Sequence, residues 1–320
     1  MVHPSVSLHM KDSWVEPGRH SSGVHLCLVT QLLGGDLKGF AEAHDYPSRR
    51  FPMAEANHVL LDFLRSISVL HSNNVIHSDI KINNLFYELH LPEEAMLQWL
   101  SADPPHRNSP EISVNGNARS AVSQPHPVAS PEEFIRQLFL LGNTGSIRER
   151  IEYRPVTICP VALRPPEIYL EGHWSEKADI WMFGFVRAFG WHPLFDYSKD
   201  GSSIAGQKLD AVESMLHQMT TKCHDQFDEP QLRYCHKGEQ YFNRNCKFLG
   251  MLRSCPDITV FLDGSLAHWH PGIFSKEQWM GIMAFVSRYL RLDPQQRPSA
   301  LELLQDEFWG NASVSASEAS

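Results

Sequence analysis

The chain has 320 residues, of which 42% are apolar and 20% charged, with a formal net charge of −9. That is the composition of a soluble globular protein of one large or two ordinary domains, with enough apolar residues for a sizeable core. The negative balance argues against nucleic acid or an anionic membrane surface as the main partner. No apolar run follows a basic N-terminal segment, and no stretch reaches the about 18 apolar residues that suggest a membrane helix, so cytosol or nucleus is the expected compartment. Six cysteines at positions 27, 159, 223, 235, 246 and 255 show no Cys-x-x-Cys spacing and read as reduced thiols.

Residues 1–20 are polar and read as a loose entry, and Val24–Thr30 reads as a buried strand. Gln31 to Gly35 breaks that strand, and Asp36-Leu37 opens a short helical turn. Pro52 suits the first turn of a helix. Beyond it Ala56, Val59, Leu60, Phe63, Leu64, Ile67 and Leu70 keep the three-and-four spacing of an amphipathic helix that ends near His71–Asn74. Leu89 to Leu100 fits one further helix. Ser101 to Ser130, rich in Pro, Ser, Asn and Ala without periodicity, reads as a flexible insert, so that residues 89–133 interrupt the domain. Order returns over Phe134–Leu141.

Asp179 to Phe189 is apolar on nearly every side, which places a helix in the middle of a domain. Gln278 to Leu290 is amphipathic through Trp279, Ile282, Met283, Phe285, Val286 and Leu290. Ser299 with Glu302 is a capping box for the last helix, and residues 311–320 are small and polar and read as a disordered tail.

The stretch Val75-Ile76-His77-Ser78-Asp79-Ile80-Lys81-Ile82-Asn83-Asn84-Leu85-Phe86-Tyr87 carries the chemistry. An aspartate, a lysine two residues on and an asparagine five residues on lie between two apolar runs that read as short strands. That spacing suits phosphoryl transfer, in which a carboxylate holds the attacking hydroxyl, a cation sits near the phosphate and an amide oxygen holds a metal ion.

Three further motifs follow in order: Leu163-Arg164-Pro165-Pro166-Glu167, Asp179-Ile180-Trp181-Met182-Phe183-Gly184, and Leu292-Asp293-Pro294-Gln295-Gln296-Arg297-Pro298-Ser299-Ala300. With the stretch at 75–87 they resemble the C-terminal lobe of a eukaryotic protein kinase. The small hydroxyl residue Ser78 in the catalytic loop, the spacer at 89–133, His25–Val29 before Leu32-Leu33-Gly34-Gly35, and Tyr241-Phe242-Asn243-Arg244-Asn245 resemble SR-protein kinases of the fungal type. The resemblance covers roughly residues 12–309. It implies an α+β, protein-kinase-like fold, mainly the helical C-lobe over 36–310, with a hinge at 30–35 and a remnant of the N-lobe sheet over 1–29.

The resemblance also implies roles. Asp79 would orient the substrate hydroxyl, and Lys81 would stabilise charge on the γ-phosphate. ATP and Mg2+ would be the cofactors, with Thr30, Leu32, Leu33, Asn84 and Leu85 as nucleotide-binding residues and Asn84 and Asn143 as metal positions. Arg-Ser-rich basic proteins would be the substrates, met by an acidic lobe. Glu167 and Arg297 would form an architectural pair, Asp179 would hold the catalytic-loop amides, and His77, Trp181 and Phe185 would be core residues. With Ser78 in place of an arginine, no phosphorylated activation loop would be needed for order.

The chain departs from the family at two places. Asn143-Thr144-Gly145 stands where Asp-Phe-Gly belongs, so a neutral amide replaces the metal-bridging carboxylate, and a hard dication is held far more weakly. Only 29 residues precede Thr30, without a Gly-x-Gly-x-x-Gly or a Val-Ala-Ile-Lys strand, so ATP would have a floor and no roof, and the strand at 24–29 would expose an apolar face. Two functions follow as expectations: a serine/threonine kinase, or a pseudokinase that acts as a protein-binding module.

Overall fold

In the computed structural model the described residues are 10–17, 23–44, 51, 53–89, 92–104, 106–109, 111–113, 116–118, 130, 133, 136–149, 158–185, 195–199, 201–204, 207–223, 225–249 and 276–309. The described residues open with an antiparallel ribbon of β1 (Met10–Pro17) and β2 (Val24–Thr30), with Trp14 opposite Cys27. The expected loose entry therefore contains a strand. The strand expected to be buried is not, because Val24, Leu26 and Leu28 are 71%, 68% and 57% exposed. An apolar alternation supplies a pairing edge but no second layer, and a two-stranded ribbon by itself covers neither of its faces. The exposed apolar face expected at 24–29 is present.

The chain then enters its core. β3 (Leu33–Asp36) runs through part of the expected hinge, and α1 (Leu37–Ala43) starts where Asp36 Oδ1 accepts the Gly39 amide at 2.7 Å, as an N-cap should. α2 (Met53–Ser72) follows the sequence spacing: Ala56, Val59, Phe63, Leu64 and Ile67 are fully buried, and Leu70 packs on the same cluster. After it come β4 (Val75–Ile76) and β5 (Leu85–Glu88), the two short strands expected around the catalytic stretch. α3 (Glu93–Ala102) begins four residues later than expected, because residues 85–88 are drawn into a strand and Pro92 fixes the entry to the helix. In the segment expected to be a flexible insert, α3 is joined by a hairpin of β6 (Glu111–Ser113) and β7 (Gly116–Ala118), and most of residues 119–132 lie outside the described residues.

β8 (Phe139–Leu141) completes a three-stranded antiparallel sheet of order β3-β5-β8, and β9 (Arg148–Glu149) pairs with β4. Gly34 is a requirement of this sheet, since a Cβ there would stand 2.0 Å from the Tyr87 ring. Helices make up most of the remainder: α4 (Pro166–Tyr169), α5 (Lys177–Phe185), then the hairpin β10 (Ser202–Ile204) and β11 (Gln207–Leu209), α6 (Ala211–Lys222), α7 (Glu229–Arg233), α8 (Gly238–Tyr241), α9 (Lys276–Tyr289) and α10 (Ala300–Leu304). α5 lies at the centre, as its all-round apolar character requires. Trp181 stacks on Phe195 at 5.9 Å, and Phe183 meets Phe63 and Tyr289 edge-on. Residues 186–189 and the tail at 311–320 fall outside the described residues.

The last helix starts at the expected capping box. The Ser299 amide donates to Glu302 Oε2 at 2.7 Å while Ser299 Oγ accepts the Glu302 amide, and the bonds from Ser299 hold the Glu302 carboxyl below its usual range. Two further boxes, Asp210 with Glu213 and Asp228 with Gln231, start α6 and α7.

Arg297 anchors the helical layer. Its Nη1 and Nη2 donate to Glu167 Oε1 and Oε2, both at 2.7 Å, and the remaining N–H groups reach the carbonyls of Arg291, Lys177 and Leu292. Its guanidinium also lies 4.9 Å from the Trp181 ring centroid. All five donors of a fully buried arginine are thereby used, which is what burying that charge demands.

Candidate active site

The catalytic stretch is a loop pinned from below. Asp179, on buried α5, accepts the His77 amide with Oδ2 and the Ser78 amide with Oδ1, each at 2.8 Å. His71, at the end of α2, reaches the same Oδ2 at 2.9 Å. Held this way, Ser78 adopts φ 63°, a left-handed conformation that a residue with a Cβ occupies only when its surroundings impose it. Asp179 thus has the expected role.

His77 is a buried connector. One ring nitrogen, Nε2, lies 2.9 Å from the Gly142 carbonyl and the other, Nδ1, accepts the Asp79 amide at 3.3 Å, an arrangement that fits the tautomer with its proton on Nε2. Ser78 Oγ donates to the Ser146 carbonyl at 2.6 Å. Through these two bonds the loop is tied to both sides of Asn143. Where the resemblance led one to expect only a missing arginine, Ser78 contributes a direct strut.

The four expected polar residues come together. Lys81 Nζ donates to Asp79 Oδ1 and Oδ2 at 3.0 and 2.8 Å. Asn84 Nδ2 donates to the Asp79 carbonyl at 2.7 Å and to Asp79 Oδ2 at 2.9 Å. Asn143 Nδ2 then donates to Asn84 Oδ1 at 3.0 Å, from a left-handed backbone with φ 60° and ψ 55°. A carboxylate offers about four lone-pair sites, and three bonds from Lys81 and Asn84 leave one of them, on Oδ1, for a hydroxyl proton.

The expected nucleotide contacts are placed differently. Asn84 sits in the polar cluster, but Leu85 is fully buried in the core and paired with Leu141. Its neighbour Phe86 is the half-buried side chain on the opposite face, because side chains alternate along a strand and a one-residue step reverses the face. The Phe86 ring lies against Gly142, where a Cβ would come within 2.9 Å of it. Leu33, opposite Glu88, shares the face of Phe86, whereas Leu32 and Thr30 are exposed, with the Leu32 carbonyl accepting the Leu89 amide at 3.4 Å. The correction is to Leu85: its side chain is in the core, and Phe86 is the one that lies against Gly142.

Sequence reasoning also passed over Asp62. It is 1% exposed, accepts Arg65 Nη1 at 2.7 Å and the Phe139 amide at 3.1 Å, and so ties α2 to the strand that leads into Gly142 and Asn143. The signal was its position three residues after Val59, on the margin of the apolar stripe, where a charged side chain needs a buried partner.

The family resemblance implies a magnesium ion here, and the donor set does not fit one. The two side chains at the metal positions are neutral amides, Asn84 Oδ1 already accepts a hydrogen bond from Asn143, and Asp79 is engaged by Lys81 and Asn84. A hard dication prefers carboxylate and water oxygens in open positions.

No protein-family model matches the chain. Among curated proteins, it is 25% identical over 224 residues to the serine/threonine-protein kinase AFC3 of Arabidopsis thaliana, covering 70% of this chain and 47% of that protein. It is 27% identical over 304 residues to a serine/threonine protein kinase of Aspergillus fumigatus, covering 90% and 65% respectively. Human dual specificity protein kinase CLK1 is 21% identical over 294 residues, covering 89% and 50%. The chain thus spans less than two thirds of each of these relatives. None of these names is that of an SR-protein kinase. A solved kinase domain superposes with a TM-score of 0.58 at 18% identity, over 95% of this chain and 77% of that one. The fold is that of a protein kinase, and these relatives are serine/threonine and dual-specificity protein kinases.

Proposed function

We propose that the chain is a serine/threonine phosphotransfer domain that uses ATP as donor and takes Arg-Ser-rich basic proteins as acceptors. One observation carries the reading. Asp79 is held by Lys81 and Asn84 at 2.7–3.0 Å, with one lone pair left to receive a hydroxyl proton. In the reaction the substrate oxygen bonds to the γ-phosphorus, the bond from that phosphorus to the bridging oxygen breaks, ADP leaves, and the hydroxyl proton passes to Asp79 Oδ1. Lys81 is the nearby cation for the transferring phosphoryl group. The formal charge of −9 suits a substrate rich in arginine.

A second reading is favoured by Asn143: the fold serves as a protein-binding module, with transfer lost along with the metal-bridging carboxylate. Radiolabelled phosphate transfer from ATP to an Arg-Ser repeat peptide separates the two. Under the first reading the chain transfers slowly, Asp79→Ala lowers the rate at least about hundredfold, and Asn143→Asp raises it about tenfold or more. No transfer above background by the chain or by Asn143→Asp, with peptide binding untouched by Asp79→Ala, overturns it in favour of the module.

A further inference from the structure

The side chains at 84 and 143 form a donor–acceptor pair. Asn84 Nδ2 is committed to Asp79, which fixes the amide so that Oδ1 points at residue 143. The backbone on either side of residue 143 is held. Its left-handed backbone is anchored in front by the Gly142 carbonyl on His77 and the Gly142 amide on the Asn84 carbonyl at 2.9 Å, and behind by Ser78 on the Ser146 carbonyl. A carboxylate at 143 in the same rotamer would direct an acceptor at an acceptor, an arrangement that a cation between them relieves. An amide reverses that sign, because its N–H is attracted to the same oxygen. The formal charges of Asp79 and Lys81 cancel, and neither asparagine adds any, so the cluster has no surplus negative charge to attract a dication.

We propose that Asn143 is a built-in substitute for the metal ion: it ties the 142–146 segment to the catalytic loop by a neutral hydrogen bond and makes the order of the site independent of divalent cations. The inference rests on reading residues 79–84 and 143 as the phosphotransfer site. It deepens that reading by assigning the site a cation-independent state.

The test is titration of the full chain with manganese(II) chloride, followed by the electron paramagnetic resonance of free manganese and by thermal unfolding, in parallel with Asn143→Asp and Asn143→Ala. The chain itself is expected to bind no manganese at this site and to unfold at the same temperature in EDTA and in manganese. Asn143→Asp is expected to unfold earlier in EDTA and to recover on adding manganese, by the amount mass action gives a ligand that binds only the folded state. Asn143→Ala loses the bond without gaining a repulsion, so it unfolds earlier than the parent and shows no recovery. Should Asn143→Asp fail to fold, the parent and the alanine variant still decide the matter. Manganese bound by the parent as tightly as by Asn143→Asp overturns the proposal, as does an alanine variant as stable as the parent. Phosphate transfer is a separate readout: its absence in every variant defeats the proposed function and leaves the manganese result standing. Asp79-dependent transfer with tight manganese binding by the parent does the reverse.

Discussion

The central helix α5 and the strand β2 are built from similarly apolar text and end in opposite environments. On α5, Ala178, Ile180, Trp181, Met182 and Phe183 are all at most 1% exposed, and even the charges of Asp179 and Arg297 are buried with their partners supplied. On β2, Val24, Leu26 and Leu28 alternate as a strand should and remain more than half exposed. The difference lies in the number of layers. A helix apolar all round is met by α2, α9 and the Phe195 segment, whereas β2 pairs with β1 and leaves the face of Val24, Leu26 and Leu28 exposed. Apolar residues contribute stability only where something covers them.

Breaking the Arg297 anchor gives the largest effect. Arg297→Ala leaves Glu167 as a buried carboxylate with its bidentate partner gone and removes the guanidinium from the Trp181 face. Loss of about 3–5 kcal/mol is expected in denaturant unfolding. The double variant Glu167→Gln, Arg297→Met, which removes both charges, should recover much of it. A single-variant loss under about 1 kcal/mol would show that the helical layer does not depend on this pair.

Asp179→Asn comes next. The amide keeps one oxygen for the two loop amides and turns an NH2 group toward the other, at a cost of about 1–3 kcal/mol for the unsatisfied donor. The sharper reading is local: hydrogen exchange at His77 and Ser78 should accelerate while exchange in α2 does not, because Ser78 holds its φ of 63° through those bonds. Equal acceleration in both would place the effect on the whole fold rather than on the loop.

These two positions also mark how far the sequence could be read. The order Asp79, Glu167, Asp179, Arg297 carried the fold, since each needs a distant partner of a particular kind, and the stripe from Ala56 to Ile67 set α2 to within a few residues. What stayed hidden depended on which side of an element faces what. Leu85 and Phe86 are neighbours of equal apolar character, and only the register of β5 against β8 decides that Phe86, not Leu85, lies beside Gly142. The bond from Asn143 to Asn84 was hidden too, because residue type alone shows a lost carboxylate and not a gained donor. For β2 the apolar run reads correctly as a strand, but burial does not follow from apolarity without a layer to cause it.

A smaller effect probes the interior through protons. His217, 0% exposed on α6 and stacked on Phe248 at 6.1 Å, has its pKa lowered by burial. Below the ordinary value of 6.5, the unfolded chain takes up a proton that the buried ring refuses, so stability is full above that pH and declines as pH falls toward the folded-state value. The unfolding temperature should therefore drop between neutral and mildly acidic pH, and His217→Phe should flatten that part of the profile. An unchanged slope in the variant would assign the decline to other groups.

The ribbon is where the smallest change in stability is expected, and where the comparison is most exposed to failure. Leu26→Thr with Leu28→Thr introduces β-branched residues that suit a strand, so pairing with Val15 and Ser13 need not alter while the apolar surface shrinks. With both leucines more than half exposed, little burial is lost, and the unfolding free energy should move by less than about 0.5 kcal/mol. Binding of a hydrophobic dye, by contrast, should fall, since a contiguous apolar patch is what such dyes report. Threonine in place of Phe63 and of Leu64, which are fully buried, should cost several kcal/mol by emptying a packed site. If the ribbon variant instead lost more than about 1 kcal/mol, Leu26 and Leu28 would be doing the work of core residues in solution. The contrast between a covered helix and an uncovered strand would then have to be given up.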